Sequence, residues 1–169
     1  MNRKTPLFII FVVFLMVVGQ AMANGTLESA QKYFDAGEFK KAVGLLRKIT
    51  RKEPSNITAW ILLGNSYTGL QKNKNAIEAY EQALRIDSKN EDALFGLGIN
   101  YSRMRQHSIA IETYKKIIEI NPKNAEAYFE LGVSYDRTNH LTYAFEQYKI
   151  LKTLDEDLAR KLYHIILGS

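Results

Sequence analysis

Three histidines, His107, His140 and His164, are the side chains best suited to metal binding or to proton transfer near neutral pH. A metal site needs several such ligands close together, and ligand pairs are usually close in sequence. Here no two histidines lie within one helical turn of each other. Two fall in predicted turns between helices, and the third lies on a predicted terminal helix. We therefore expect solvated surface histidines and no metal site.

Nucleophilic and acid–base chemistry has little support elsewhere in the sequence. There is no cysteine, which excludes a thiol nucleophile, a disulfide, an iron–sulfur cluster and a lipid-modified cysteine. The chain also lacks the H-E-x-x-H, G-x-S-x-G and glycine-rich phosphate-binding patterns. The short acidic run 155–157 lies at a predicted helix junction, where carboxylates favour a helix N-terminus. We predict that the protein is not an enzyme and uses no cofactor.

The overall composition narrows the class of protein and its possible partners further. A length of 169 residues suits one domain, and 46% apolar and 24% charged residues are ordinary values for a globular protein. Lysine and arginine number 23 and aspartate and glutamate 18, so the net charge is +5. This excess is mild for a nucleic-acid-binding protein. We expect no nucleic-acid partner.

Residues 1–23 have the three parts of a secretory signal peptide. Basic Arg3 and Lys4 precede twelve apolar residues, 7–18, and Ala-Met-Ala at 21–23 fits an A-x-A cleavage site. Extended to Ala23, the apolar stretch has seventeen residues, fewer than the about 20 that a membrane-spanning helix needs. We predict a cleaved leader and a periplasmic or secreted protein. The alternative is an uncleaved leader that anchors the protein in the inner membrane, which is the one case in which we expect a membrane partner.

The remaining sequence repeats every 34 residues without an insertion. In the first half of each unit, four residues recur at offsets 0, 3, 4 and 7, which is one face of a helix. These residues are Trp60, Leu63, Gly64 and Tyr67, then Leu94, Leu97, Gly98 and Tyr101, then Tyr128, Leu131, Gly132 and Tyr135. In the second half the recurring residues are Ala76, Tyr80 and Ala83, then Ala110, Tyr114 and Ile117, then Ala144, Tyr148 and Leu151. Each unit is therefore predicted to be a pair of amphipathic helices.

This pattern resembles the tetratricopeptide repeat, a helix–turn–helix unit. The match covers residues 24–158 as four units, about 23–56, 57–90, 91–124 and 125–158. The first unit is degenerate, with Ser29-Ala30 in place of Leu-Gly, and only two units keep the closing proline. The resemblance implies an all-α fold in which the repeats stack into a right-handed superhelical solenoid. We expect residues 159–169 to form a capping helix that covers the last repeat.

In tetratricopeptide domains the concave groove binds the partner, and residues beside the core positions of each first helix line it. By this resemblance the lining forms two rows, Leu27, Ile61, Phe95 and Phe129, then Gln31, Asn65, Ile99 and Val133. Arg103 and Arg137 would lie on one rim. The rows lack the basic and amide residues with which some family members clamp a C-terminal carboxylate. We expect an amphipathic helix or an extended apolar peptide instead, with the arginines orienting its acidic groups.

Two alternatives concern the apolar residues of this groove. Phe95 and Phe129 could simply fill space between neighbouring first helices. The groove of one copy could also receive the apolar C-terminal helix of another copy, which would make the protein a self-assembling homo-oligomer. Our leading hypothesis is a non-catalytic exported scaffold that binds a protein or peptide partner within a bacterial envelope complex, either free or tethered by an uncleaved leader.

Cleavage after Ala23 has a direct test. The exported protein should begin at Asn24 and lack Arg3 and Lys4, so its net charge falls from +5 to +3. Intact-mass analysis of protein exported from a bacterial host measures this. A chain that keeps residues 1–23 and stays with the membrane fraction would establish the anchor instead.

Overall fold

The computed structural model describes residues 27–168, which form nine α-helices and no strand. The predicted signal peptide, residues 1–23, lies outside these described residues. The helices are α1 (27–35), α2 (Phe39–Lys52), α3 (Ile57–Gly69), α4 (Asn73–Ile86), α5 (Glu91–Arg103), α6 (His107–Ile120), α7 (Ala125–Arg137), α8 (Leu141–Leu154) and α9 (Glu156–Leu167). Consecutive helices pack against each other. The all-α arrangement of helical pairs predicted from the period is confirmed.

The turns inside the helical pairs follow the 34-residue period. One residue in each turn has a left-handed backbone, with φ of 72° at Gly37, 57° at Gln71, 59° at Arg105 and 60° at Asn139. Glycine adopts this conformation without steric cost, whereas glutamine and arginine do not. The same tight reversal is therefore kept in all four pairs even where the residue type does not favour it.

The junctions between pairs are also periodic, because an asparagine caps each following helix. The side chains of Asn56, Asn90 and Asn124 accept hydrogen bonds from backbone N–H groups three residues on, at 2.9–3.0 Å. Such a cap satisfies one of the unpaired donors at a helix start. Three successive first helices, α3, α5 and α7, therefore begin at equivalent positions.

The last junction breaks this period. Asp155 immediately follows α8 and caps α9, accepting a hydrogen bond from the backbone N–H of Leu158 at 2.9 Å. The acidic run at this junction therefore includes a helix cap, as expected. However, α9 begins at Glu156, three residues before the expected start of the capping segment 159–169, because the link to it is a single residue.

Close contacts between a ring and a glycine set the spacing of the helices. Tyr80 on α4 is almost fully buried, and a Cβ added to Gly64 on α3 would lie 2.6 Å from its ring. A Cβ added to Gly96 on α5 would also collide with the same ring. The ring of Tyr80 therefore lies wedged between the first helices of two consecutive units, and only glycine permits this approach.

Helix α9 closes the C-terminal end of the stack. Leu162 is fully buried in a cluster with Tyr128, Leu151 and Ala159. A Cβ added to Gly132 on α7 would lie 2.5 Å from the Leu162 side chain, so α9 contacts α7 directly. Among residues 27–168, no helix combines the length and the apolar character needed to cross a membrane.

This packing predicts that α9 is essential to stability. Leu162→Ala leaves a cavity between α7, α8 and α9 and should lower the free energy of unfolding by about 2–5 kcal/mol. Leu167→Ala on the same helix is the matched control, because Leu167 is 54% exposed and its loss should cost little. Denaturant unfolding of both variants measures the difference. Equally small effects would mean that α9 is only loosely attached.

Candidate functional site

The first helices of the four units, α1, α3, α5 and α7, together line a cavity of about 560 Å³, which we call the groove. Its apolar lining is Phe34, Ile61, Phe95 and Ile99, and its amide and hydroxyl lining is Asn65, Thr68, Tyr80, Asn100 and Asn124. The carboxylates Glu91, Asp92 and Glu126 lie along it, and Gly96 completes the lining. The groove is thus built by one face of consecutive repeats.

Four of the ten residues predicted to bind a partner line this groove, namely Ile61, Asn65, Phe95 and Ile99. Phe95 also packs edge-on against the ring of Tyr114, with ring centroids 5.9 Å apart. Phe95 therefore contacts the second helix of its own unit and remains half-buried at the groove.

The structure places four other candidates outside the groove. Leu27 packs against the N-terminal core, and Gln31 is exposed and donates a hydrogen bond to Asp35 at 2.8 Å. Phe129 and Val133 are half-buried against the core cluster around α9. The apolar strip predicted along the C-terminal half is therefore partly occupied by contacts with the capping helix, and the open groove lies further towards the N-terminus.

The two predicted rim arginines lie at the C-terminal ends of α5 and α7. Both Arg103 and Arg137 are exposed. The Nη1 of Arg103 donates to the backbone oxygen of Thr68 at 3.2 Å, so its guanidinium reaches across to the preceding unit. Cations at helix C-termini interact favourably with the helix dipole. Arg103 therefore places a positive charge beside Thr68, which lines the groove.

A hydrogen-bond network that the sequence did not reveal organises the floor of the groove. The Tyr80 hydroxyl donates to Asn65 Oδ1 at 2.6 Å and lies 3.3 Å from Thr68 Oγ1. Asn100 Nδ2 donates to Thr68 Oγ1 and to the Gly96 carbonyl, both at 2.8 Å. Burial raises the pKa of Tyr80 above its ordinary value. Its phenol therefore stays protonated and acts as a donor, not as a base.

The equivalent tyrosine of the next unit lacks this network. Tyr114 is fully buried, and its hydroxyl forms no hydrogen bond among the described residues, although Ser102 lies close enough to lower its pKa. Ile99 lies one 34-residue period after Asn65, and Glu130 lies one period after Gly96. Burial raises the pKa of Tyr114, and the negative charge of Glu130 adds to this effect. The hydroxyl of Tyr114 is therefore less well satisfied than that of Tyr80.

The carboxylates that line the groove lie in the first turns of α5 and α7. Glu91 accepts hydrogen bonds from Asn121 Nδ2 and Asn124 Nδ2, both at 3.1 Å. Burial raises the pKa of the Glu130 carboxyl, and the charge of Glu126 adds to it. Sequence reasoning missed Glu91 and Glu126, because acidic residues in a first turn are also expected from the helix dipole. Glu130 lies one 34-residue period after Gly96. This change from glycine to glutamate is the signal that could have singled it out.

A second cavity, of about 630 Å³, lies between α2, α3 and α4 and is lined by residues that include Arg47, Trp60, Tyr67 and Glu78. The second helices of two adjacent units, α2 and α4, and the first helix α3 form this cavity. It contains none of the predicted binding residues. The groove, by contrast, receives side chains from all four units. We therefore take the groove as the candidate site.

The histidines lie apart from the groove. His107 is half-buried at the start of α6 rather than fully solvated, and burial lowers its pKa. His140 is exposed, and its Nδ1 lies 2.9 Å from Thr138 Oγ1. His164 is exposed on α9. Within residues 27–168, no three His, Asp or Glu side chains are grouped so as to hold a metal ion.

The helical pairs, their period and the concave groove define an α-solenoid of the tetratricopeptide class, as the sequence predicted. The family model described as the cytochrome c-type biogenesis protein H TPR domain matches residues 20–160. The match covers most of the chain, so the protein belongs to this family. Family and fold together support a scaffold for protein interactions.

Solved structures confirm the solenoid. A crystal structure of MamA superimposes with a TM-score of 0.77 at 27% identity, covering 82% of this chain and 81% of that one. YrrB, described as a TPR protein with an unusual peptide-binding site, gives 0.73 at 23% identity, covering 83% and 72%. A tetratricopeptide repeat protein from Parabacteroides merdae gives 0.78 at 23% identity, covering 85% and 58%. The similarities to YrrB and to the Parabacteroides merdae protein, both at 23% identity, concern the fold alone. No curated protein matches the sequence significantly.

The contrast between the two tyrosines gives a matched pair of variants. Tyr80→Phe removes the hydroxyl that donates to Asn65 and should lower the free energy of unfolding by about 0.5–1.5 kcal/mol. Tyr114→Phe removes a hydroxyl without a partner and should leave stability unchanged or raise it. Thermal and denaturant unfolding of the two variants measure this. An equal loss in both would contradict the described network.

Proposed function

We propose that the protein is an exported, non-catalytic scaffold that holds an amphipathic helix or an extended peptide of a partner in the groove. The observation that carries this proposal is the apolar surface formed by Ile61, Phe95 and Ile99 from two consecutive units, bordered by amide and hydroxyl groups. Recognition of an amphipathic segment needs such an apolar strip with polar edges. Side chains of this kind concentrate binding energy in concave sites.

The dimensions of the groove suit a short polypeptide segment. Neighbouring packed helices lie about 10 Å apart, so a segment that runs from α1 to α7 crosses roughly 30 Å. A helix rises about 1.5 Å per residue, which corresponds to roughly 20 residues, and an extended chain at about 3.3 Å per residue needs roughly nine. Both kinds of partner are therefore compatible with the length of the groove.

The comparisons support a polypeptide partner and suggest where to look for it. YrrB is described as having a peptide-binding site, and the family is named for cytochrome c-type biogenesis. Together with the signal-peptide pattern of residues 1–23, this favours a periplasmic role in an envelope assembly process. Cytochrome c-type biogenesis is the first pathway in which we would seek the partner.

One observation favours self-assembly as a second candidate function. The C-terminal helices expose apolar side chains, with Tyr163 38% and Leu167 54% accessible. A second copy could cover them. Light scattering over a range of concentrations separates the two functions, because a protein that stays monomeric at high concentration is not a self-assembling one.

The groove proposal predicts which isoleucines matter for binding. The partner is first captured by cross-linking and pull-down from the native envelope, and its affinity is then measured with purified variants. The double variant Ile61→Ala/Ile99→Ala should bind at least about tenfold more weakly, because two contacts of a hot spot are truncated. Circular dichroism should show an unchanged helix content.

The matched control is the double variant Ile86→Ala/Ile109→Ala. These isoleucines lie on the second helices α4 and α6 and are 43% and 45% exposed. This variant should keep the wild-type affinity. Equal weakening by both double variants, or normal binding by the groove variant, would place the partner elsewhere.

A further inference from the structure

Helices α2, α3 and α4 enclose the cavity of about 630 Å³, which we call the outer cleft. It shares no lining residue with the groove and uses a different face of α3. Trp60, Leu63 and Tyr67 of α3 form its apolar and aromatic wall. The two flanking walls are Arg47, Thr50 and Arg51 of α2, and Asn75, Glu78, Ala79 and Gln82 of α4.

The outer cleft contains two arginines whose charges are not neutralised. Arg47 and Arg51 lie one helical turn apart on α2, and both are exposed. Neither forms an ion pair with any residue of 27–168. Among the described lining residues Glu78 is the one carboxylate, so the lining keeps a net positive charge. Like charges four residues apart destabilise a helix.

The later units do not repeat this pair of cations. At the positions of Arg47 and Arg51, the second unit has Glu81 and Arg85, the third has Lys115 and Glu119, and the fourth has Lys149 and Thr153. Opposite charges one turn apart favour a helix. The first unit therefore departs from the repeat in a way that the stability of its own helix does not explain.

The third unit shows the carboxylate that the first unit lacks. Lys115, two periods after Arg47, pairs with Glu112 Oε1 at 2.8 Å. The residue two periods before Glu112 is Gly44 on α2. Arg47 therefore has a glycine where its counterpart has a neutralising glutamate.

The second unit places a carboxylate beside the equivalent tyrosine. The hydroxyl of Tyr101 donates to Glu81 Oε1 at 3.5 Å. One period earlier, the corresponding residues of the outer cleft are Tyr67 and Arg47. A carboxylate that enters the outer cleft would therefore have both a hydroxyl and a guanidinium group as donors.

We propose that the outer cleft binds a glutamate or aspartate side chain from an acidic segment of a partner protein. Arg47 and Arg51 hold the carboxylate, because a guanidinium group matches it with paired N–H donors. An apolar side chain of the same segment contacts Trp60 and Leu63. This inference goes beyond the groove function, since it gives the scaffold a second binding surface on a different face of α3.

The charge of α2 as a whole favours an acidic partner. The sequence of this helix, FKKAVGLLRKITRK, has six basic residues and no acidic one, and all six are exposed. Its charge of +6 exceeds the +5 of the whole chain. An acidic segment is therefore attracted to α2 before its side chain enters the outer cleft.

The shape of the outer cleft favours a polypeptide over a membrane surface. Anionic lipid headgroups would share the attraction to α2. However, Trp60 and Tyr67 are half-buried on α3, behind the exposed arginines of α2. A side chain can enter between the helices and reach them, whereas a flat bilayer touches only the exposed face of α2.

The experiment uses the full exported protein and three labelled peptides with blocked ends. All three have leucines at the same positions, and the positions between the leucines are glutamate, glutamine or lysine. Fluorescence anisotropy at physiological salt should show that the glutamate peptide binds at least about tenfold more tightly than the glutamine peptide. The lysine peptide should bind most weakly.

A pair of double variants separates the outer cleft from the general charge of α2. Arg47→Gln/Arg51→Gln should reduce the preference for glutamate to about threefold or less. The matched control is Lys48→Gln/Lys52→Gln, which removes the same charge at the same spacing from the same helix, at exposed residues that do not line the cleft. This control should keep most of the preference.

Gly44 gives a second and independent pair of variants. Gly44 is exposed, and an added Cβ would meet no atom within 4 Å, so α2 accommodates a side chain there. Gly44→Glu supplies the carboxylate that Glu112 gives to Lys115 in the third unit. It should reduce the preference for glutamate as the arginine double variant does, whereas Gly44→Gln should leave it unchanged.

Several results would overturn the inference. They are a failure of the glutamate peptide to bind, equal binding of the three peptides, a preference that survives Arg47→Gln/Arg51→Gln, and an equal loss in Lys48→Gln/Lys52→Gln. Binding to vesicles of equal parts phosphatidylcholine and phosphatidylglycerol, without binding to the glutamate peptide, would assign the outer cleft to lipid headgroups instead. Ile61→Ala/Ile99→Ala should leave glutamate-peptide binding unchanged, so this inference and the groove function can each fail alone.

Discussion

The ring of Tyr80 lies between Gly64 and Gly96, and this contact determines how two consecutive helical units stack. A side chain on either glycine would push α3 or α5 away from the ring. Because no unit can bury its apolar face alone, the spacing set here fixes the distance between the first helices that line the groove. The Tyr80 hydroxyl then emerges beside Asn65 and Thr68, so the residue that sets the packing also organises the groove floor.

The contacts made at the position of Tyr80 differ from unit to unit along the stack, and they divide the concave face into three parts. Tyr114 has a glycine contact on its own unit at Gly98, but the next unit presents Glu130 instead of a second glycine. At Gly132 the closest side chain is Leu162 of α9. The N-terminal part of the face therefore keeps an open groove, the middle acquires a carboxyl group, and the C-terminal part is tied to the capping helix.

The fold could be predicted almost completely from the sequence, because a strict period repeats the same caps, turns and close contacts. Within the site, Ile61, Asn65, Phe95 and Ile99 could be placed because the resemblance to tetratricopeptide repeats assigns their register to the groove. The positions of Phe129 and Val133 could not, since they depend on how α9 packs after a link of one residue. The acidic lining was missed for a different reason: an acidic first turn has a local explanation in the helix dipole, and only the fold shows that several such turns face one groove.

The central claim is that the partner lies against the first helices, and site-specific photo-cross-linking in the native envelope tests it most directly. A photoreactive amino acid replaces Ile99 in the groove in one variant and Ile109 on the outer helix α6 in another. A cross-linked partner that forms from position 99 and not from position 109 is the result we predict. Cross-links from position 109 alone would contradict the account and place the binding surface on the outer helices.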